Sequence, residues 1–99
     1  MPSFRLSKRA AADIDEILAF TIECWGVDQA DKYLGGLDAL LHIVVSRPMM
    51  GRRAAQIQPD LRRIEYVSHI VFYKILQQGI SIERVLHKSK ALKKSDFKP

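Results

Sequence analysis

Apolar residues recur along the first half of the chain at intervals of three and four, which is the spacing of one face of an α-helix. From Ile14 to Trp25 this apolar stripe lies opposite acidic positions, which predicts an amphipathic helix that ends at Gly26. The same spacing returns from Ala30 to Val44 and predicts a second helix. Because the joint at Gly26 is so short, we expect the two helices to fold back as an antiparallel hairpin. The stripes comprise Ile14, Ile17, Leu18, Thr21, Ile22 and Trp25 in the first helix, and Ala30, Tyr33, Leu34, Leu37, Leu40, Leu41 and Val44 in the second.

On either side of this helical region, apolar and polar residues alternate as they do in β-strands. Phe4 and Leu6 alternate with polar neighbours and predict a short first strand with one buried face, after which Ser7 caps the first helix. Residues 48–60 combine prolines, a glycine and polar residues, and are expected to form an irregular connection. Three further strands follow, and the short turns between them indicate antiparallel hairpins. They are predicted at residues 61–66, 69–76 and 80–87.

The order strand, helix, helix, strand, strand, strand predicts an α+β fold, in which the helical hairpin packs on one face of a small curved sheet. The middle strand of the final three is apolar on both alternating registers, as expected of a strand covered on more than one side. In the last strand, strict alternation would place two sets of residues on opposite faces. These sets are Ile80, Ile82, Arg84 and Leu86, and Ser81, Glu83, Val85 and His87.

Length and composition fit one domain spanning residues 1–99. Of the 99 residues, 47% are hydrophobic and 27% are charged, which is enough to fill a single core and cover its surface. The single cysteine, Cys24, excludes an internal disulfide and a cysteine-based zinc site, and its place beside Trp25 predicts a small buried side chain. His42, His69 and His87 fall on different elements without ligand spacing, so we expect neither a metal nor another cofactor. With no apolar run long enough for a membrane helix and acidic residues near the N-terminus, we expect a cytoplasmic protein without a membrane partner.

The net charge of +5 resides entirely in the C-terminal part of the chain. Residues 1–83 contain ten basic and ten acidic residues, whereas residues 84–99 contain six basic residues and Asp96 alone. The last strand is therefore followed by a basic tail at about residues 89–99. Such a segment can bind nucleic acid, an acidic protein or a membrane surface, and it can equally be a solvated tail.

One group of basic residues could carry chemistry, since phosphate-binding loops and the common protease and hydrolase motifs are absent from the sequence. It lies on neighbouring predicted strands and comprises Arg62, Arg63, Lys74, Arg84 and His87. RNA cleavage needs a base for the 2′-hydroxyl proton, cations for the phosphorane and an acid for the leaving oxygen, which His87 and flanking arginines could supply. The alternative is structural, because arginines commonly solubilise edge strands and a histidine at a strand end commonly serves as a hydrogen-bonded structural residue.

Five segments in order resemble the ParE branch of the ParE/RelE superfamily of bacterial toxins. They are FRLSKRAAADIDEILAF, WGVDQADKYLGGL, RPMMGR, LRRIEYVSHIVFYKI and IERVLH, and together they span nearly the whole chain. The resemblance implies a small RelE/ParE-like fold and the toxin component of a type II toxin-antitoxin system. It further implies inhibition of DNA gyrase and thus of replication without enzymatic activity or a small-molecule substrate, and a cognate ParD-like antitoxin in a toxin-antitoxin hetero-oligomer. A partner that orders on binding needs exposed apolar surface, so we expect an apolar patch on the isolated chain.

RelE-like relatives use the same scaffold as ribosome-dependent mRNA endonucleases, which is the alternative function. In that case Arg62 and Arg84 would hold the phosphate and His87 would be the base. Residues 88–99 contain neither Tyr nor His, and the ending RVLH favours the ParE-like function. A toxin that has decayed into an inert antitoxin-binding protein is a third alternative. For the ParE-like function, the predicted target-binding residues are Arg62, Arg63, Arg84, His87, Lys88, Lys90, Lys93 and Lys94.

Overall fold

Seven helices and strands make up residues 3–98, the part of the chain that the computed structural model describes. They are β1 (Ser3–Leu6), α1 (Lys8–Trp25), α2 (Val27–Ser46), β2 (Arg52–Arg53), β3 (Leu61–Tyr66), β4 (His69–Leu76) and β5 (Gly79–His87). Short 3₁₀ helices add Pro48–Met50 and Lys94–Phe97. The predicted α+β order is confirmed. No helix in this part of the chain combines the length and the apolar character needed to cross a membrane.

Local hydrogen bonds fix both ends of α1. The Ser7 hydroxyl accepts a hydrogen bond from the Ala10 N–H at 3.0 Å, as predicted for a helix cap. At the other end Gly26 adopts a φ of 92°, a conformation that a residue with a side chain adopts only with strain. The Gly26 N–H donates to the Ile22 carbonyl at 2.9 Å, and the Gly26 carbonyl accepts from the Ala30 N–H at 3.3 Å. A single glycine therefore ends α1 and begins α2.

The sheet has five strands, in the order β1-β5-β4-β3-β2. The predicted antiparallel pairing of β3, β4 and β5 is confirmed. Two strands complete the sheet at its edges: β1 lies parallel to β5, and β2 lies antiparallel to β3. The expectation of an irregular connection over residues 48–60 is therefore wrong at Arg52–Arg53, where the backbone pairs with Arg63 and Arg62. Two residues are too few to carry an alternating pattern that a sequence could reveal.

A β-bulge in β5 redirects its side chains. Phe72 pairs with Arg84 whereas the next residue, Tyr73, pairs with Ile82, so Glu83 is an extra residue in β5. The predicted alternation of β5 is consequently wrong beyond Ile82. After the bulge Val85, rather than Arg84, continues the buried face of Ile80 and Ile82 beneath the helices, while Arg84 and Leu86 belong to the other side.

Each face of the sheet carries its own core. Between helices and sheet lie Ala10, Ile14, Tyr33, Leu37, Leu41, Val44, Val71, Tyr73, Ile80, Ile82 and Val85. On the opposite face lies a second core, formed by Ala54, Leu61, Ile70, Phe72, Leu86 and Phe97. The Phe97 ring meets the Phe72 ring edge to face, with centroids 4.9 Å apart. The alternative of a solvated tail is therefore wrong for Phe97, which packs the tail against the sheet.

Part of the predicted helical stripes lies in solvent. In α1, Ala10 and Ile14 are buried, but Ile22 and Trp25 are exposed because the last turns of the helix project past the core. In α2, Leu34 is exposed while the other predicted positions are buried or half-buried. Leu6 in β1 is also exposed, so only Phe4 turns toward the core there. The prediction of a buried Cys24 is likewise wrong, since its side chain is exposed on the projecting end of α1.

Replacing the tail's aromatic anchor should destabilise the fold. Phe97→Ala should lower the free energy of unfolding by about 3 kcal/mol, because it empties space in a packed core. The matched control is Phe20→Ala, since Phe20 is 64% exposed, and this change should cost less than roughly 0.5 kcal/mol. Urea unfolding of the two variants measures both values. Equal stability of the two variants would contradict the docking of the tail.

Candidate functional site

The two adjacent arginines of β3 point to opposite faces of the sheet. Arg62 lies opposite Tyr73 and faces the helices, where its guanidinium donates to the Met49 carbonyl at 3.2 Å and the Gly51 carbonyl at 2.7 Å. Arg63 lies over the Phe72 ring on the other face, with the guanidinium carbon 5.8 Å from the ring centroid. Arg62 thus holds the segment before β2 in place, and the two arginines do not form one site.

Arg84 is partly buried and is held by hydrogen bonds to α1 and to the tail. It forms two hydrogen bonds to the Asp13 carboxylate, at 2.7 and 2.8 Å, and a third to the Asp96 carbonyl at 2.6 Å. The Arg84 and Asp13 side chains are each only 11% exposed. The hydrogen bonds that Arg84 donates to Asp13 raise the pKa of Arg84, although burial of the guanidinium acts in the opposite direction. Asp13 also accepts the Val85 N–H at 3.0 Å, so it secures the backbone beside the bulge as well as the guanidinium.

Of the other predicted site residues, Lys74 lines one cavity together with Arg84, whereas Arg62, Arg63 and His87 do not line that cavity. His87 ends β5 on the helical side, where its Nδ1 accepts a hydrogen bond from the Ser89 N–H at 3.1 Å and lies 2.8 Å from the Ser89 hydroxyl. Lys74 is paired with Asp60, with 3.7 Å between the charged atoms. The structure therefore disperses the predicted group of Arg62, Arg63, Lys74, Arg84 and His87 over both faces of the sheet.

The predicted tail lysines lie on the surface. Lys88 approaches Glu65 and Lys90 approaches Asp96, each with 3.7 Å between the charged atoms. Lys93 and Lys94 are also exposed, at the start of the 3₁₀ helix that carries Phe97. Because Phe97 docks the 3₁₀ helix on the sheet, Lys93 and Lys94 emerge from a segment that is packed against the fold.

An apolar groove opens where the ends of the helical hairpin meet the turn between β3 and β4. Its volume is about 600 Å³. Phe20, Trp25 and Val67 stand out among its side chains, at 64%, 73% and 65% exposed. The predicted exposed apolar patch is confirmed, and this patch is the candidate contact site for another molecule. We call this site the hairpin groove; it is lined by Glu16, Ile17, Phe20, Thr21, Trp25, Gln29, Tyr33, Val67, Ser68, His69 and His87.

Strain at the turn helps to shape the hairpin groove. Val67 has a φ of 54°, which its branched side chain tolerates poorly. Such a conformation costs on the order of 1–3 kcal/mol and is commonly found at functional sites. Here it holds an apolar side chain in solvent at the rim of the groove.

Tyr33, His69 and His87 form the polar floor of the hairpin groove. The Tyr33 hydroxyl lies 3.3 Å from Nδ1 of His69, and the two histidine rings meet edge to face with centroids 5.4 Å apart. Burial raises the pKa of Tyr33 to about 12, and nearby Tyr66 adds to the rise. Burial also lowers the pKa of His69, and His87 lowers it further. Tyr33 and His69 are therefore uncharged at neutral pH, which suits an apolar ligand.

A close contact between β3 and α2 positions Tyr33. The Tyr66 hydroxyl donates to the Tyr33 carbonyl at 2.6 Å, and the two rings meet edge to face with centroids 5.0 Å apart. A side chain at Gly36 would overlap the Tyr66 hydroxyl. The glycine at this position in α2 thus lets β3 approach the helix closely.

Sequence reasoning did not identify Phe20, Val67 and His69 as site residues. Phe20 offered a signal, because it is a large aromatic residue flanking the apolar stripe of α1 rather than lying on it. Val67 offered none, since its exposure follows from the conformation of the turn. Among residues 3–98, no three His, Cys, Asp or Glu side chains come close enough together to bind a metal ion.

Comparisons with known proteins identify the family. A family model for the "ParE toxin of type II toxin-antitoxin system, parDE" matches residues 4–92. The chain belongs to the ParE toxin family. It is 38% identical over 91 residues to Toxin ParE1 of Caulobacter vibrioides, covering 90% of this chain and 92% of that toxin. It is also 38% identical over 85 residues to Toxin ParE1 of Mycobacterium tuberculosis, covering 85% and 87% of the two chains.

The fold of this ParE-family chain has a solved counterpart. A chain of the chromosomal ParDE TA system from P. aeruginosa superposes with a TM-score of 0.72, covering 88% of this chain and 96% of that chain. At 22% identity, this likeness shows a shared fold. The ParE resemblance of the five sequence segments is thus confirmed, as is the RelE/ParE-like architecture that it implied.

The groove histidine His69 should make stability depend on pH. Its pKa is lowered in the folded state, so the unfolded chain, with a histidine pKa of about 6.5, binds more protons near that pH. Stability should therefore be complete above pH 6.5 or so and decline as the pH falls through the folded pKa of His69. In urea unfolding measured across this pH range, His69→Gln should reduce the decline in the free energy of unfolding. The matched control is His42→Gln, which removes a histidine from outside the groove. The same decline in His69→Gln as in the wild type would contradict the assignment.

Proposed function

We propose that this ParE-family chain is a toxin that inhibits DNA gyrase by binding rather than by catalysis, and that a ParD-like antitoxin neutralises it. Membership of the ParE toxin family supports gyrase as the target. The exposed hairpin groove is the observation that supports binding of a protein partner. Gyrase acts on chromosomal DNA, so the proposed site of action is the cytoplasm. The exposed lysines Lys88, Lys90, Lys93 and Lys94 remain our proposed contacts with gyrase or its DNA.

The hairpin groove fits an amphipathic helix from the antitoxin. Helix-in-groove recognition places one apolar face of a helix in an apolar channel, and Phe20, Trp25 and Val67 offer such a channel. The hairpin around it is acidic, with seven Asp or Glu residues and Lys32 alone between residues 13 and 38. The complementary helix therefore carries apolar residues on one face and Lys or Arg along its flanks, in a toxin-antitoxin hetero-oligomer.

The geometry weighs against the ribonuclease alternative. Concerted cleavage needs a base, an acid and cations within hydrogen-bond reach of one phosphate. Arg84 is instead bound by Asp13, Arg62 is bound by backbone carbonyls, and His87 lies at the hairpin groove. The residues proposed for the nuclease therefore do not face a common phosphate.

Plasmid supercoiling by purified gyrase tests the proposed target. The folded protein should inhibit supercoiling, and His87→Ala should weaken inhibition by no more than about tenfold, as an ordinary contact residue would. A ribonuclease would instead lose on the order of 100-fold in RNA cleavage rate when its proton-transfer group is removed. Absence of inhibition at a large molar excess, together with His87-dependent cleavage of ribosome-bound mRNA, would overturn the proposal.

The same assay separates the antitoxin site from the gyrase site. Phe20→Ser/Trp25→Ser should inhibit gyrase normally yet bind the cognate ParD-like antitoxin at least roughly 30-fold more weakly, because central aromatic anchors dominate such interfaces. Ile43→Ser is the matched control, since Ile43 is 51% exposed on α2 outside the groove. Loss of gyrase inhibition in the double variant would assign the hairpin groove to the target instead.

A further inference from the structure

The sheet edge formed by β2 and β3 concentrates positive charge. Arg52 pairs directly with Arg63 on one face, and Arg53 pairs with Arg62 on the other. Like charges directly opposite each other on neighbouring strands are unfavourable. Within residues 3–98, none of these four guanidinium groups forms an ion pair with a carboxylate. We call this cluster of Arg52, Arg53, Arg62 and Arg63 the arginine edge.

The outer side of β3 is open beyond the arginine edge. The Leu61 carbonyl accepts the Ala54 N–H at 2.8 Å, so the backbone of Leu61 faces outward, toward β2. Because this direction alternates along a strand, the backbone groups of Arg63 and Glu65 face outward as well. The pairing of β2 with β3 ends at Arg63. In the described part of the chain, the N–H and carbonyl of Glu65 therefore have no neighbouring strand.

A gap separates the chain from β3 at this point. The Gly51 N–H donates to the Tyr73 hydroxyl at 2.9 Å, which draws the segment before β2 toward the helical face and away from the edge. The space left beside β3 is a cavity of about 240 Å³. It is lined by Met50, Gly51, Arg52, Arg63, Ile64 and Glu65.

We propose that the arginine edge is a docking site for an extended acidic peptide segment, which adds a strand beside β3 at Glu65 and places its carboxylates on Arg52 and Arg63. Strand addition satisfies the free backbone groups, and alternate side chains of the added strand reach the same face. Bidentate pairing with carboxylates relieves the repulsion between the two arginines. This surface lies on the edge of the sheet away from β1 and is separate from the hairpin groove.

The open backbone distinguishes a peptide from a nucleic acid. Arginines alone bind phosphate and carboxylate groups alike. A nucleic acid strand, however, has no regular array of N–H and carbonyl groups to pair with Glu65. The Glu65 side chain already approaches Lys88, with 3.7 Å between the charged atoms, so its negative charge is partly offset for an incoming acidic segment.

An NMR titration of the intact protein tests the docking site. The probe is a synthetic peptide in which Glu and Val alternate, blocked at both ends, and the comparison probes are its Gln-Val counterpart and a single-stranded oligonucleotide of equal charge. The Glu-Val peptide should shift the amide signals of residues 64–66 and bind more tightly than either comparison probe. Arg52→Glu/Arg63→Glu should weaken it by roughly tenfold or more, because two charge-assisted contacts are lost.

Matched variants separate charge from strand pairing. Arg5→Glu, on the opposite edge strand β1, should leave the affinity unchanged. Glu65→Gln and Glu65→Pro remove the same charge, but only proline also removes the outward N–H. Glu65→Gln should bind the Glu-Val peptide at least as well as the wild type, whereas Glu65→Pro should lose it. If Arg63→Glu impairs folding, the single change Arg52→Glu on exposed β2 takes its place, since Arg52 lies on the same face as Arg63.

Three results would overturn the inference. The first is that the Gln-Val peptide binds as tightly as the Glu-Val peptide, which would show that the arginines do not recognise carboxylates. The second is tighter binding of the oligonucleotide, which would assign the arginine edge to nucleic acid. The third is equal affinity of Glu65→Gln and Glu65→Pro, which would exclude strand addition. None of these results bears on gyrase inhibition or on the hairpin groove, so the proposed function stands or falls separately.

Discussion

The ion pair between Asp13 and Arg84 joins parts of the molecule that are 71 residues apart in sequence. It holds α1 against β5 at the bulge, and the third Arg84 hydrogen bond carries the connection to the Asp96 carbonyl in the tail. Removing one partner of a pair that is only 11% exposed costs about 3 kcal/mol, because the other charge is left unpaired. A domain of this size has a total stability of about 5–15 kcal/mol. The packing of the hairpin on one face and of Phe97 on the other therefore depends on this contact.

The main helices and strands could be predicted because each carries a local signal. Ser7 and Gly26 mark the ends of α1, and the three antiparallel strands have apolar runs separated by short turns. The edges of the sheet could not be predicted in the same way. Strand β2 is a two-residue pairing with β3, and the place of β1 beside β5 depends on a contact between distant segments. The bulge at Glu83 is held by contacts with distant residues, because the Ser7 hydroxyl donates to the Glu83 carbonyl at 2.8 Å and Arg84 binds Asp13.

The candidate site was harder to predict than the fold. Whether an apolar residue is buried depends on whether its helix or strand extends beyond the elements that pack against it. Trp25 continues the apolar stripe of α1 and was expected in the core, yet it lies on the projecting turns and lines the hairpin groove. The basic residues show the opposite: a residue expected at a binding site has a structural role instead. Arg84 has the charge expected of a phosphate-binding group, but its guanidinium is used to hold the fold together. A basic side chain is available for a partner only where no carboxylate already pairs with it, as at the arginine edge, whose guanidinium groups form no ion pair within residues 3–98.

A double-mutant cycle on Asp13 and Arg84 tests most directly whether this basic residue belongs to the framework rather than to a reacting site. The free energy of unfolding would be measured for Asp13→Asn, Arg84→Gln and the double variant. We predict that each single change costs about 3 kcal/mol or more and that the double variant costs far less than their sum, because a buried pair is removed together. Additive effects, within roughly 0.5 kcal/mol, would show that the two side chains act independently and would contradict the account.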